Sequence, residues 1–245
     1  MIILLISLLF SCKDNSKVRI FVSWPGGEGL PNYQWKRGEL KPTGIEPAFI
    51  ERVLAVANLD YEYVTDFEFS GEGDPRLEVL QNDKADLCIR ALTITEERKE
   101  HALFSNPYYI DGLTALVRKK DSIYTLSDLN GKRVYTLEFT SAHEWVDKNL
   151  SKKTTHMSYE KFDTAFVKPE GLLLKNEIDA YILDKSFLKE IAKTNTELKI
   201  LNNTFTDEII AIGVNKKRPD LVLKINQAME EMKQSGEFYT LLKGL

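Results

Sequence analysis

The chain has 245 residues, carrying 33 Lys and Arg against 37 Asp and Glu, a formal net charge of −4 and two cysteines. That length suits one large or two small domains. The slightly negative balance argues against a nucleic-acid partner, and cations spread along the chain argue against a polybasic membrane surface.

The opening run MIILLISLLF is too short to span a bilayer, which takes about 20 apolar residues, and suits the hydrophobic region of a signal peptide. Leu9-Phe10-Ser11-Cys12 looks like a lipoprotein processing box, in which Cys12 becomes the lipidated N-terminus. Lys13 to Lys17 then reads as a polar tether; the alternative is a buried N-terminal strand with a chance cysteine. With Cys12 lipidated, Cys88 has no disulfide partner and reads as a small core residue.

Val18 to Val22 is a first β-prone run, followed by a Gly/Pro-rich loop from Pro25 to Pro42. Phe49, Ile50, Val53, Leu54 and Ala57 recur at helical spacing, with Pro47 in the first turn. Tyr61, Tyr63, Thr65 and Phe67 alternate as a second strand. Pro75 to Asp83 predicts a short helix and Asp86 to Leu92 a third strand. This alternation implies a parallel sheet with crossover helices. Leu113 to Val117 starts a second series: a turn-rich element at Leu126 to Lys132, a strand at Arg133 to Leu137, a helix from Thr140 or Ser141, and a strand at Asp179 to Leu183. Ile209 to Val214 predicts one more strand. A closing helix then aligns Leu221, Ile225, Ala228, Met229 and Met232 on one face and stops at Gly236.

One stretch stands out, Ala85 to Tyr109, ADLCIRALTITEERKEHALFSNPYY. A strand end presenting hydroxyls and an Arg fork is chemically suited to a small carboxylate. The stretch resembles the signature of the family 3 extracellular solute-binding proteins, which bind amino acids for ABC importers. The resemblance extends over nearly the whole chain after Lys17, including Leu126 to Val134 (LSDLNGKRV) and Met232 to Leu245. It is weakest from Tyr159 to Lys175, where Pro169-Glu170-Gly171 is expected to interrupt a helix that the family usually runs unbroken.

The resemblance implies an α/β protein with the two-lobed periplasmic binding protein type 2 fold. Each lobe is a mixed sheet flanked by helices, and two hinge crossings near Asp111–Leu113 and Asp207–Ile209 join them. Residues 1–17 would be leader and tether, 18–112 plus 208–245 lobe one, and 113–207 lobe two.

Arg98 is the leading site candidate, because its planar fork can make two parallel hydrogen bonds to a carboxylate. The resemblance implies this role, with Thr93 as the assisting hydroxyl five residues earlier; the alternative is a surface Arg paired with Glu96 or Glu97. Thr95 reads as the N-cap of a helix starting at Glu96. Thr140 and Ser141 precede a helix whose free N–H groups suit an anion. The resemblance brings this turn to the ligand carboxylate from the opposite lobe, and simple capping is the alternative. The family usually has Gly where this chain has Phe139. Asp184, at a strand's C-terminal end, is where the resemblance implies contact with the ligand's α-amino group; otherwise it caps the helix through Phe187 and Leu188. Trp24 falls where relatives place an aromatic over the ligand side chain, with Tyr33, Trp35 and Glu46 as weaker wall candidates. Arg90 stands where the family has a small residue or Ser. It either meets a second ligand carboxylate, making the ligand acidic, or pairs internally with Glu46 or Asp184.

No nucleophile elbow, P-loop or zincin pattern occurs. His101, His143 and His156 lack metal-ligand spacing. Gly26-Gly27-Glu28-Gly29 lacks the Lys that a phosphate loop needs. No cofactor, metal or catalytic residue is therefore expected. The reading is a monomeric, membrane-anchored lipoprotein of the periplasm or cell envelope that captures a small carboxylate-bearing solute, an amino acid, and docks on an ABC permease. The alternatives are a cyclohexadienyl dehydratase-like enzyme, with Glu46 or Asp184 as acid, and a stand-alone sensory lipoprotein.

Overall fold

A computed structural model describes residues 17–23, 28–29, 32–150, 154–157 and 168–245. The chain runs from β1 (Val18–Phe21) through a small ribbon, β2 (Glu28–Gly29) and β3 (Tyr33–Gln34), into α1 (Ile45–Val56). α1 buries Phe49, Ile50, Val53 and Leu54, and Pro47 sits in its first turn, where no intrahelical donor is lost. Next come β4 (Tyr61–Tyr63), α2 (Pro75–Gln81), β5 (Leu87–Cys88), α3 (Glu96–Lys99) and β6 (Leu103–Phe104). β7 (Tyr109–Asp111) then leads through Gly112 into β8 (Leu113–Arg118). After a 3-10 turn at Leu126–Leu129 follow β9 (Val134–Leu137), α4 (Ser141–Asn149), β10 (Thr154–Met157), α5 (Pro169–Leu174), β11 (Ala180–Asp184), α6 (Lys185–Thr194) and β12 (Leu198–Ile200). The return path is β13 (Glu208–Ile210), β14 (Gly213–Val214), α7 (Pro219–Gln234) and α8 (Glu237–Leu241).

These strands make two five-stranded sheets, ordered β4-β1-β5-β14-β6 and β10-β9-β11-β8-β12. The first is parallel across β4, β1 and β5 and turns antiparallel at β14. The second is parallel across β10, β9 and β11 and antiparallel at β8 and β12. Parallel pairs need crossover helices, which is the work of α1 and α2 in one lobe and α4 in the other. Between the sheets, β7 and β13 form an antiparallel ribbon that pairs Tyr109 with Ile210, Ile110 with Ile209 and Asp111 with Glu208. The chain thus passes between two lobes twice, and the two passages are hydrogen-bonded to each other.

Each sheet is covered on both faces. In the first lobe Val18, Ile20 and Leu87 pack with Phe49, Ile225 and Met229 on one side, and Phe21 and Cys88 pack with Leu77 and Leu80 on the other. In the second lobe Leu113, Ala115 and Val117 face Val134 and Val146, while Leu116 faces Tyr181 and Leu188. That split follows the two-residue period of a strand. Every residue of β8 is buried, as a strand covered on both faces requires. Burial also pushes the Cys88 thiol up to about 12, which suits an inert packing role.

The elements are shorter than the sequence pattern in three places. The run from Asp86 to Leu92 pairs as a strand only at Leu87–Cys88, because Ala91 takes φ 43 and gives its N–H to the Glu46 carboxylate at 2.7 Å. The alternation from Tyr61 to Phe67 is a strand only to Tyr63. Ile209 to Val214 is two strands, one in the hinge ribbon and one in the first sheet. Between them Ala211 N–H goes to the Leu92 carbonyl and Ile212 N–H to Ser105. Both halves are buried in alternation or throughout, so apolar patterning carries no mark of the break. Pro169, expected to interrupt a helix, instead occupies the first turn of α5, where its missing N–H costs nothing. Residues 159–167 of that expected helix lie outside the described residues. The closing helix buries all five residues of the expected face, and Gly236 follows it at φ 78, the left-handed C-terminal stop.

Gly112, between β7 and β8, is fixed by close approach. A Cβ there would lie 2.4 Å from the Thr206 carbonyl oxygen and 2.7 Å from the Thr204 side chain. Gly112→Ala should therefore cost about 1–3 kcal/mol of stability, read as a lower urea midpoint; an unchanged midpoint would show that the crossing yields freely.

Candidate functional site

Arg98 is placed by a single turn of helix. Thr95 caps α3 by accepting the Arg98 N–H at 3.1 Å, which sends the Arg98 side chain inward, where the residue is only 4% exposed. Its Nη1 donates to the Thr93 carbonyl at 2.9 Å and its Nη2 to the Phe139 carbonyl at 3.1 Å. The surface alternative fails, since Glu96 pairs with Lys99 instead. Thr93 is buried beside Arg98 and meets it through its backbone carbonyl.

Phe139 belongs to the other lobe, in the turn between β9 and α4. It adopts φ 58, the conformation that a Gly would take without strain. A non-Gly residue here holds a left-handed turn at a cost of about 1 kcal/mol or more. Its ring packs edge-on against Phe69 of the first lobe, with centroids 6.1 Å apart.

A second guanidinium converges on the same carbonyl, and sequence reasoning missed it. Arg76 Nη2 donates to the Phe139 carbonyl at 2.8 Å. Asp74, the N-cap of α2, accepts the Arg76 backbone N–H at 3.0 Å and its Nε and Nη2 at 2.9 and 2.7 Å. Arg76 Nη1 reaches the Arg90 and Ala91 carbonyls at 3.4 and 3.3 Å. Asp74 Oδ2 also lies 3.4 Å from Arg98 Nη2, so one carboxylate serves both cations. Burial alone would raise the Asp74 pKa, but Arg76 and then Arg98 hold it below the usual carboxylate range. Burial, and next the charge of Arg76, bring Arg98 down to about 10, so it stays charged at neutral pH. The sequence reads only as a short helix from Pro75 to Asp83, and nothing local shows that Arg76 folds back toward the strand ends.

Thr140 caps α4. Its hydroxyl donates to the Leu137 carbonyl at 2.6 Å and accepts the His143 N–H at 3.3 Å. The hydroxyl is thus committed locally, and what the turn offers the cleft is the start of α4 at Ser141, where first-turn N–H groups lack intrahelical partners.

Asp184 ends β11 and stands at the N-cap of α6, yet its side chain makes no capping bond. The hinge supplies the cap instead. Asp111 Oδ2 accepts the Ser186 N–H at 3.1 Å, and the Gly112 carbonyl accepts the Lys185 N–H at 2.9 Å. Asp184 is left nine-tenths buried, with Oδ1 lacking any hydrogen-bond partner. Burial, then the charges of Asp111 and Glu208, raise its pKa to about 7 against the opposing fields of Arg76 and Arg98.

Arg90 is half-buried; its Nε donates to the Tyr33 hydroxyl at 2.9 Å and its guanidinium lies 5.4 Å from that ring's centroid. Glu46 is fully buried, accepting from Ala91 N–H and from the Tyr108 hydroxyl. Burial raises the Glu46 pKa against those bonds and the Arg90 charge. Trp35 is buried with its indole N–H on the Glu39 carbonyl at 3.1 Å, a fold role. Trp24 and Cys12 lie outside the described residues. Among the described residues no group of three His, Cys, Asp or Glu is placed to hold a metal ion, and no helix is long and apolar enough to cross a membrane. A cavity of about 630 Å³ on the second lobe, between Tyr124 to Asn130 and Leu201 to Phe205, has no charged side chain in its lining and offers no complement to a zwitterion.

The sequence profile of the bacterial extracellular solute-binding proteins, family 3, matches residues 27–244. The L-cystine-binding protein TcyJ of Escherichia coli (strain K12) is 28% identical over 220 residues, 88% of this chain and 79% of its own. The amino-acid-binding protein AabA of Dichelobacter nodosus is 29% identical over 231 residues, 92% of this chain and 86% of its own. Among solved structures, the arginine-, lysine-, histidine-binding protein ArtJ from Geobacillus stearothermophilus superposes with a TM-score of 0.76 at 25% identity, covering 93% of this chain and 94% of that one.

The Asp74–Arg76 pair generates a test. Arg76→Met leaves a buried carboxylate with only the more distant Arg98, and should cost about 3 kcal/mol in urea denaturation. Asp74→Asn added to it should restore part of that loss; no recovery would mean that Arg76 acts by packing alone.

Proposed function

Because the chain belongs to the bacterial extracellular solute-binding proteins, family 3, we propose that it binds a free amino acid between its lobes and presents it to an ABC importer. The observation that carries this reading is the pairing of opposite charges across the cleft. Arg98, on the first lobe, is a buried cation facing the second lobe; Asp184, on the second, is a buried carboxyl without a partner. An α-amino acid carries the complement of both. Its carboxylate would exchange with the Phe139 carbonyl on Arg98, near the start of α4, and its ammonium group would meet Asp184.

Each lobe holds one end of such a ligand, so only a closed arrangement engages both. Ligand shifts the population toward closure through the ribbon of β7 and β13. A micromolar ligand supplies about 8 kcal/mol of binding free energy, enough to oppose a modest preference for opening. The relatives named for L-cystine and for arginine, lysine and histidine share the α-amino acid head group and differ in side chain, which supports the class without choosing a member. Arg90 already donates to Tyr33 and lies in the field of Glu46; this favours internal pairing over a second ligand carboxylate. On this reading Cys12 carries the lipid that holds the protein at the cell envelope.

The reaction-based alternative has one observation in its favour, an Asp184 carboxyl near neutral pKa. Prephenate incubated with the protein should give no phenylpyruvate if binding is the whole function.

Arg98→Ala should abolish amino-acid binding by calorimetry while the protein still melts cooperatively; an unchanged dissociation constant would place the carboxylate elsewhere. A pH signature follows from Asp184. Its folded pKa lies above its unfolded value, so its contribution to stability is fully present below the ordinary carboxylate range and is lost as pH rises to about 7. An ammonium partner favours the ionised form. Affinity should therefore rise with pH up to about 7 and then level off, with proton release visible as a buffer-dependent binding enthalpy. A buffer-independent enthalpy with pH-independent affinity would remove Asp184 from the ammonium contact.

A further inference from the structure

The hinge brings a third carboxylate to this site, on a strand that the amino-acid reading uses only as a crossing. Glu208 opens β13, opposite Asp111 in β7. β13 is also tied to the segment that carries Arg98: Thr93 bridges Ile210, and Ile94 N–H donates to the Ile209 carbonyl at 2.8 Å. Glu208 therefore lies where the ribbon meets the cleft, and its charge acts on both Arg98 and Asp184. It is 4% exposed. Oε1 accepts from the Thr206 hydroxyl at 2.7 Å, and Oε2 has no partner. Asp111 is different, because both its oxygens are occupied, by Gly112 N–H at 2.8 Å and Ser186 N–H at 3.1 Å.

We propose that Glu208 is a ligand-binding residue whose free Oε2 joins Asp184 Oδ1 in a two-carboxylate seat for the ligand's primary ammonium group. The inference rests on the amino-acid reading above and adds to it a second acceptor and a preference. Two buried carboxylate oxygens without donors are costly, and a cation placed between them removes that cost. A primary ammonium group is a compact charge with three N–H donors, so it can serve acceptors from two different elements at once. A fully alkylated amine has no N–H to offer either. Asp184 belongs to the second lobe and Glu208 to the crossing strand whose partner Asp111 is bonded to that lobe, so without a cation two like charges stand together in the fold. The charge of Asp111 adds to that repulsion at Asp184, and Arg76 and Arg98 oppose it. A bound ammonium group turns that repulsion into attraction on both sides.

The test uses the whole protein at pH 7.5 as wild type, Glu208→Gln and Asp184→Asn. Binding of L-arginine, L-lysine, L-histidine, L-glutamine, L-glutamate and L-cystine is followed by calorimetry, and melting of the ligand-free protein is followed in parallel. Whichever amino acid binds wild type should bind Glu208→Gln about 30-fold more weakly or worse. The ligand-free Glu208→Gln protein should melt higher than wild type, because a repelling charge is gone and the amide can donate to Asp184. Unchanged affinity overturns the proposal. So does lower affinity with a lower melting temperature, which is what losing a structural acceptor for Thr206 would give. Methylammonium chloride against tetramethylammonium chloride at equal ionic strength separates the two levels of inference. If no amino acid binds, the amino-acid reading fails. The seat then stands if methylammonium alone raises the melting temperature of wild type and not of Glu208→Gln, and falls if it does not.

Discussion

Two guanidinium groups stand side by side at the meeting of the lobes, and Asp74 makes that arrangement possible. Like charges this close and this buried would repel strongly. A single carboxylate in contact with both reduces the conflict, although burial and then the charge of Arg76 still lower the pKa of Arg98. The division of labour between the two follows from their donors. Arg76 spends Nε and part of Nη2 on Asp74 and Nη1 on the carbonyls of the turn after β5, so it braces that turn. Arg98 uses one arm on Thr93 and turns the other to the second lobe. Arg76 thus fixes the platform on which Arg98 works, and Asp74 begins the helix that carries Arg76.

A comparable substitution of roles frees the opposite charge. An Asp at a helix N-cap ordinarily spends its carboxylate on the first N–H groups of that helix. In α6 the hinge strand provides this service through Asp111, so Asp184 keeps its position at the helix start and loses its usual occupation. The same contact ties the hinge to the second lobe. Gly112 permits it, because its lack of a side chain lets β7 and the segment before β13 come close enough to touch the start of α6. Charge placement and hinge geometry are therefore one construction.

Much of this was legible in the sequence because it is local. The strand and helix alternation, the burial face of α7 and the Thr95 cap that aims Arg98 each depend on residues within a turn or two of one another. Asp184 was legible as a strand end, although its freedom from capping was not, since Asp111 lies far away along the chain. Arg76 and Glu208 were missed for the same reason: each looks like an ordinary surface charge until tertiary contacts bring it to the cleft. The run from Ile209 to Val214 misled in the opposite way. Its apolar content is a single signal, yet the two halves pair in different sheets, and the reason is where β7 and β5 lie rather than anything in the run itself.

Phe139 shows how the two charge sites constrain the path between open and closed forms. Its carbonyl accepts from Arg76 and Arg98 together, so without ligand those N–H groups are not left bare. A neutral carbonyl is the weaker acceptor for a guanidinium, and a carboxylate the stronger one. On the amino-acid reading, the affinity measured at Arg98 is then the difference between these two bonds, and not the whole of the carboxylate contact. The strain of a non-Gly residue at φ 58 acts in the same direction, because a turn held away from its preferred backbone gives up its contact more readily. Asp184 has no such stand-in partner. On that reading the anionic end of a ligand exchanges one acceptor for a better one, while its cationic end meets a carboxyl oxygen without a partner in the fold, so the larger share of the drive toward closure falls on the ammonium side.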